Sequence, residues 1–360
     1  MTNSAGRDAS WQVDSGRVVR CGIATTTVMT CCRDDAFGSR EPMYKATILG
    51  AALAMASISS HGAPAPSKGI SAPLSASQTV PVRPLIAITI DDLPAHGPLP
   101  VGGDRLVIGK AIIAALAAHH APAFGFMNAG FDSSDPKSSQ VLTEWRKAGL
   151  SIGNHTFRHS NLDTVGAGAF LADVARNEPA IAAVSGGRDW HWFRYPFLAE
   201  GQSATARDAV RSELRRRGYR IAAATMGFGD YAWNDAFARC TARHDTSAIA
   251  ALETSYLAAA REAAQRSRNL SQAALGRDIP YVLLIHFGAF DARMMPRLLD
   301  LYEEMGFGFT TLSKAQADPF YATATDLTVP GPTATLEETA RAKQIPIPAG
   351  APLPDAAVCA

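Results

Sequence analysis

The sequence predicts an α/β domain built on a parallel sheet, open or closed into a barrel, and three observations predict it. From Pro84 onward, short apolar runs alternate with helical patterns, as when parallel strands are joined by crossing helices. The first run, Leu85-Ile86-Ala87-Ile88-Thr89-Ile90, is long and rich in β-branched residues, which suits a strand buried on both faces. Two carboxylates, Asp91 and Asp92, end that run, at the strand end where α/β enzymes carry their chemistry.

In order, the apolar runs place strands at Leu85–Thr89, Ala123–Met127, Ser151–Gly153, Trp192–Phe193, Arg220–Ala224, Tyr281–Ile285 and Gly308–Thr311. Helical patterns between them cover Arg105–His119, Ser139–Ala148, Ala167–Val184, Ala204–Arg217 and Met295–Met305. His119-His120 close the first helix before Ala121-Pro122 and read as its cap. Ala248 to Ala274, rich in Ala, Arg, Glu and Gln, reads as one inserted helix packed outside the sheet, with a lid over the mouth as the alternative. After Phe320 the chain turns to Pro, Ala and Thr, the composition of an extended tail.

At 360 residues, the chain accommodates one large α/β domain of roughly 200–250 residues plus extensions. A net charge of +1 makes no electrostatic case for nucleic acid. Arg211, Arg215, Arg216 and Arg217 cluster, but Glu213 interrupts them, so they read as a solvated helix face. Cys21, Cys31 and Cys32 precede Met43, Cys240 lies in the main body, and Cys359 is next to the C-terminus. With no C-x-x-C pair, a structural zinc site is not expected. A Cys240–Cys359 disulfide is conceivable, but the sequence does not supply its geometry.

After Met43, Lys45 and the small-residue apolar stretch from Ala46 to Ile58 read as a secretory signal too short to span a membrane. Translation from Met43 would make the product an exported one, periplasmic or secreted. The expected organisation is an extension over 1–42, a signal over 43–62, a linker over 63–83, a catalytic domain over 84–320 and a tail over 321–360.

Adjacent carboxylates at a buried strand end require partners or a metal. His155 and His159 lie four residues apart, so a helical turn would point both imidazoles the same way. Two His and one carboxylate leave a coordination position open, the arrangement of a catalytic metal centre.

Four ordered segments carry a resemblance: Thr89-Ile90-Asp91-Asp92, His155-Thr156-Phe157-Arg158-His159, Arg194-Tyr195-Pro196-Phe197 and Leu284-Ile285-His286. They resemble the first, second, third and fifth motifs of the polysaccharide deacetylases, carbohydrate esterase family 4, over Pro84 to Phe320. The resemblance implies a distorted (β/α) barrel of about seven parallel strands with a groove at their C-terminal ends. It implies that Asp92, His155 and His159 bind a divalent metal, zinc first, with Asp91 as general base, Arg194 orienting it and His286 as general acid. The fourth motif departs from the family pattern. Gly227-Phe228-Gly229-Asp230-Tyr231 keeps one Asp, and by the resemblance Asp230 would set the tautomer of His286. Trp233 lies two residues beyond Tyr231, where it could supply an aromatic wall.

Elementary chemistry agrees with these roles. A metal on two His and one Asp lowers the pKa of bound water and polarises a carbonyl. Asp91 is placed to take the water's proton, and the guanidinium fork of Arg194 to orient Asp91. The backbone N–H of Tyr195, just before Pro196, is the candidate second donor to an oxyanion. Expulsion of an amine needs a proton, which His286 would give. The expected activity is deacetylation of an N-acetylated glycan such as chitin oligomers or peptidoglycan. An O-acetyl xylan esterase, a small-molecule amidohydrolase and a non-catalytic glycan-binding protein are the alternatives. His96 and His191 flank the motif segments as further residues that could touch substrate.

Overall fold

The Ile-rich run ahead of Asp91 is the axis of the sheet. The computed structural model describes residues 83–131 and 136–360. The expected extension (1–42), signal (43–62) and linker, except Arg83, lie outside the described residues. The strands are β1 (Leu85–Leu93), β2 (Ala123–Met127), β3 (Ser151–Asn154), β4 (Trp192–Phe193), β5 (Arg220–Ile221), β6 (Tyr281–His286) and β7 (Gly308–Phe309). They pair in the order β5-β4-β3-β2-β1-β6, every pair parallel, with β7 beside the start of β1.

The sheet closes on itself. Met226, just past β5 at one edge, bridges Leu283 of β6 at the other. Met226 N–H donates to Val282 O at 3.0 Å, and Leu284 N–H donates to Met226 O at 2.9 Å. The result is a distorted (β/α) barrel of seven parallel strands. β5 stops at Ile221 rather than running to Ala224 because its pairing with β4 ends where Ala222 N–H donates to Phe193 O at 2.8 Å. The Gln316 amide takes over from there, accepting from Ala223 N–H at 2.8 Å and donating to Ile221 O at 2.9 Å.

The main helices are α1 (Arg105–Ala118), α2 (Pro136–Lys147), α3 (Leu162–Val184), α4 (Ala204–Arg216), α5 (Tyr231–Ala242), α6 (Thr246–Leu275) and α7 (Ala289–Glu304). The one-turn helices α8 (Leu312–Ala315) and α9 (Ala322–Thr325) follow, then α10 (Leu336–Ala342). α3 starts five residues before the expected Ala167 because Asn161 caps it, and a non-helical Gly166 kinks its first turn. α7 starts at Ala289, not Met295, since Asn234 Oδ1 accepts Phe290 N–H and supplies a partner that a local pattern cannot show. No helix among the described residues is long and apolar enough to cross a membrane.

The inserted helix is α6, capped by Asp245 at its start and ended by Gly276 in the left-handed region. It buries Leu252, Tyr256, Ala260 and Ala264, and it packs against α5, α7 and α10. This is the packing-helix expectation. The stretch after Phe320 is not an extended tail. α10 buries Leu336 and Ala340, Ile345 and Ile347 pack on the core, and Cys359 is disulfide-bonded to Cys240. Each buried aliphatic contributes about 1.5–3 kcal/mol, which opposes the chain entropy that composition alone would favour.

β3 and β4 approach closely at Gly153, where a β-carbon would lie 2.6 Å from Trp192 O. Gly153→Ala is therefore expected to destabilise the fold by about 1–3 kcal/mol, read as a lowered urea midpoint. An unchanged midpoint would show that the two strands separate freely.

Candidate active site

The C-terminal end of β1 organises the site. Asp91 lies in register with His286 of β6, which brings the first and last expected site residues side by side. Regular alternation would send Asp91 and Asp92 to opposite faces. Asp92 instead has φ +64°, a left-handed conformation that Asp tolerates better than most residues. Both carboxylates consequently reach one imidazole. His155 Nε2 lies 3.7 Å from Asp91 Oδ2 and 3.6 Å from Asp92 Oδ1.

His155 and His159 do not converge through a helical turn. They sit on the loop after β3, where Thr156 and His159 have φ of +62° and +57°. A β-branched residue there is strained, so the loop needs external support. Three asparagines supply it. Asn128 Nδ2 donates to the carbonyls of His155 and Thr156. Asn154 Oδ1 accepts Thr156 N–H at 2.9 Å and Asn177 Nδ2 at 3.0 Å. Asp173 Oδ2 accepts Arg158 N–H at 3.0 Å and the Ser160 hydroxyl at 2.8 Å. Sequence reasoning missed all four residues. The available signal was an Asn just after β2, another closing β3, and polar positions in the Ala-rich α3.

The donor set fits a divalent cation. One ligand atom each from Asp92, His155 and His159 lie within 4.8 Å of one another. His155 Nδ1 donates to Arg194 O at 2.8 Å, which leaves the Nε2 lone pair toward the carboxylates. His159 Nε2 is 3.6 Å from Asp92 Oδ1. Asp91 Oδ1 and Asp92 Oδ1 are buried without a hydrogen-bond partner, so an acceptor-rich centre has ligand capacity to spare. Burial pushes the Asp92 carboxyl up, but the His96 hydrogen bond and the charges of His155, His159 and His286 outweigh it and hold the carboxyl low. Burial and neighbouring His155 lower His159 to about 4, keeping its imidazole a neutral ligand. A second grouping, His119 with Asp300 and Glu303, has exposed acids and reads as a surface ion pair.

The remaining expected residues arrange themselves around this centre. His286 Nδ1 lies 3.1 Å from Asp230 Oδ2, and its backbone N–H donates to the same oxygen at 2.6 Å. Burial would lower His286, but Asp230 raises it to about 10, so the imidazole is a cation at neutral pH with Nε2 free. Arg194 is fully buried, and its Nη1 is 4.0 Å from Asp91 Oδ2. The bidentate fork expected of it is absent, because Nη2 is engaged by the Thr89 hydroxyl at 2.8 Å. The Tyr195 ring stacks on Phe170 in the core, so only the backbone of Tyr195 is available for a role at the mouth. Pro196 opens a short 3-10 turn that presents Phe197 outward.

One aromatic position needs correction. Trp233 is not a wall of the groove. It is fully buried in α5, with its indole N–H on Ser255 Oγ at 2.9 Å. Tyr231, half exposed, stands edge-on to His286 at 5.4 Å between ring centroids and takes that place. Phe197, 65% exposed, lies 4.4 Å from the His159 ring. Helical periodicity after Asp230 turns residue 233 inward and leaves 231 outward. His96 belongs to the centre, with Nδ1 2.7 Å from Asp92 Oδ2 and its ring 4.7 Å from His286. His191 does not. It lies at the N-terminal end of β4, against Asp189 and Trp190.

The polysaccharide deacetylase family model matches residues 79–222. No curated protein matches the sequence. Among solved structures, the chain is similar to the family 4 carbohydrate esterase from Streptomyces lividans in complex with acetate, at 17% identity, covering 64% of this chain and 95% of that one, with a TM-score of 0.42. It is also similar to the chitin deacetylase of the fungal pathogen Colletotrichum lindemuthianum, at 18% identity, 65% and 88% coverage and a TM-score of 0.43. A family 4 pseudoenzyme from Bacillus anthracis matches at 13% identity, 65% and 66% coverage and a TM-score of 0.44.

His155→Ala is expected to abolish stoichiometric zinc binding. His96→Ala, which removes the hydrogen bond to Asp92 Oδ2, is expected to weaken it about 10–100-fold. Metal analysis after dialysis and a chelator competition measure both, and full zinc retention by His155→Ala would remove it from the ligand set.

A pH effect follows from His286. Its native pKa is about 10 against an ordinary 6.5, so the metal-free fold binds the extra proton more tightly than the unfolded chain. The stabilisation is complete below pH 6.5 and fades as pH rises to 10. Urea midpoints of metal-free protein should decline across that window, and His286→Ala should lack the decline.

Proposed function

Because the polysaccharide deacetylase family model matches residues 79–222, we propose that the protein is an exported, metal-dependent hydrolase that removes acetyl groups from an N-acetylated glycan. The observation that carries this reading is the convergence, at one barrel mouth, of a His155–His159–Asp92 ligand set with Asp91 and an Asp230-paired His286. A divalent cation, zinc first, would acidify a bound water and polarise the acetyl carbonyl there.

The chain's own residues do the rest. Asp91 takes the proton of the attacking water as the new C–O bond forms. Arg194, 4.0 Å away, balances the Asp91 charge. The Tyr195 backbone N–H is the donor assigned to the developing oxyanion. As the C–N bond breaks, the His286 cation gives its proton to the departing amine, and Asp230 stabilises that cation until then. An amine is a poor leaving group without this proton, so a placed acid makes N-deacetylation feasible.

The open rim supports a glycan rather than a small amide. Phe197 and Tyr231 stand exposed beside His159 and His286 respectively, and exposed aromatic faces suit the C–H faces of sugar rings. Export is supported by the segment after Met43 and by the Cys240–Cys359 disulfide, since such bonds persist in oxidising compartments.

Acetate release from chitin oligomers and peptidoglycan fragments should vanish with chelator and return with zinc. Release from acetylated xylan alone would shift the reading to an esterase, and no release from a zinc-loaded protein would overturn it. Asp91→Asn should lower kcat by about 100-fold or more with metal content unchanged; wild-type turnover in that variant would remove Asp91 from the base role.

A further inference from the structure

Both ends of the segment that carries Asp230 are held by the C-terminal residues. Asp230 starts α5 but makes no side-chain cap bond there, its carboxylate being engaged by His286. The loop leading to it, Gly227-Phe228-Gly229, includes a glycine at φ +71° that lies beneath Leu353. A β-carbon at Gly229 would approach Leu353 Cδ2 to 2.7 Å, so the loop and the C-terminal segment are in direct contact. A cavity of about 170 Å³ beside them is lined by Gly227, Phe228, Ala263 and Leu353.

The far end of α5 is fastened as well. Cys240, fully buried, is bonded to Cys359, 119 positions along the chain. Arg239, next to it, donates from Nε to Val358 O and from Nη2 to Ala356 O, each at 3.0 Å. Arg243 donates to Ala360 O, and Arg266 on α6 donates to Pro348 O at 2.9 Å as the segment arrives. A loop with two glycines has high conformational entropy when free. The bond between Asp230 and His286 needs that loop in one conformation.

We propose that residues 348–360 form a strap, anchored by the Cys240–Cys359 disulfide, that positions Asp230 against His286. Leu353 and the disulfide are positioning elements acting through Asp230. Their effect on turnover rests on the acid role proposed for His286, whereas their hold on the loop does not.

The test pairs an activity readout with one that needs no activity. Oxidised full-length protein, the same protein reduced by a phosphine, Cys359→Ser and Leu353→Ala would be compared by hydrogen exchange and by acetate release. Leu353→Ala keeps the disulfide, so it separates loss of positioning from general destabilisation. The expected result is faster exchange in peptides covering 226–233 and 284–288, where the His286 N–H is held by Asp230. With it, kcat should fall by up to about 100-fold, the scale of a small misplacement, at unchanged KM and zinc content, and Leu353→Met should restore it. Faster exchange confined to 345–360 with unchanged kcat would overturn the strap. If oxidised wild-type protein releases no acetate, the catalytic reading fails and the exchange data alone decide the strap.

Discussion

Burial of two adjacent carboxylates at the end of β1 is the constraint on which the rest of the mouth depends. Asp91 and Asp92 are 2% and 3% exposed. Taking an ion out of water costs several kcal/mol even after relaxation. A fold that keeps two of them there must surround them with positive or ligating groups. His96, His155, His159, Arg194 and His286 come from four stretches of chain to do so. The barrel makes this feasible because parallel strands deliver all their C-terminal ends to one rim.

Convergence has a backbone cost, and the structure shows where it is met. Asp92, Thr156, His159, Phe197 and Leu198 all have positive φ around the mouth, at about 1–3 kcal/mol for each strained residue. The support is a polar network just below the rim. Asn128, Asn154 and Asn177 are fully buried and bond one another or the carbonyls of the strained loop. Their interactions hold the imidazoles in place without contacting the reacting centre.

The Asp230–His286 pair lies against a different part of the molecule. α5, α6 and the C-terminal segment form one packed layer. Buried Asp291, in the first turn of α7, joins that layer, bonding Tyr256 of α6 at 2.9 Å and Asn234 of α5 at 2.8 Å. Burial and the nearby Asp230 charge push the Asp291 carboxyl well above its usual range. The Asp92–His155–His159 grouping therefore sits on strand-end geometry, whereas the Asp230–His286 pair sits against a helical layer that includes the Cys240–Cys359 disulfide.

The barrel, its seven strands and the identities of Asp91, Asp92, His155, His159, Arg194, Asp230 and His286 were legible in the sequence. The strands and the Asp91-Asp92 pair follow from local pattern, a run of β-branched residues ending in two carboxylates, and the other site residues from the ordered motifs that carry the family resemblance. Tertiary structure decided what depends on residues far apart in sequence. It turned Trp233 inward and made Tyr231 the wall, drew His96 onto Asp92, left His191 at the opposite end, and replaced the Arg194 fork with a bond to Thr89. It also ended β5 on Gln316 and folded the Pro- and Ala-rich terminus back onto α6. The physical reason is common to all of these. Periodicity reports which face of an element is apolar, but the partner that satisfies a polar group or covers an apolar one is found through packing, and packing is not written in any short stretch of chain.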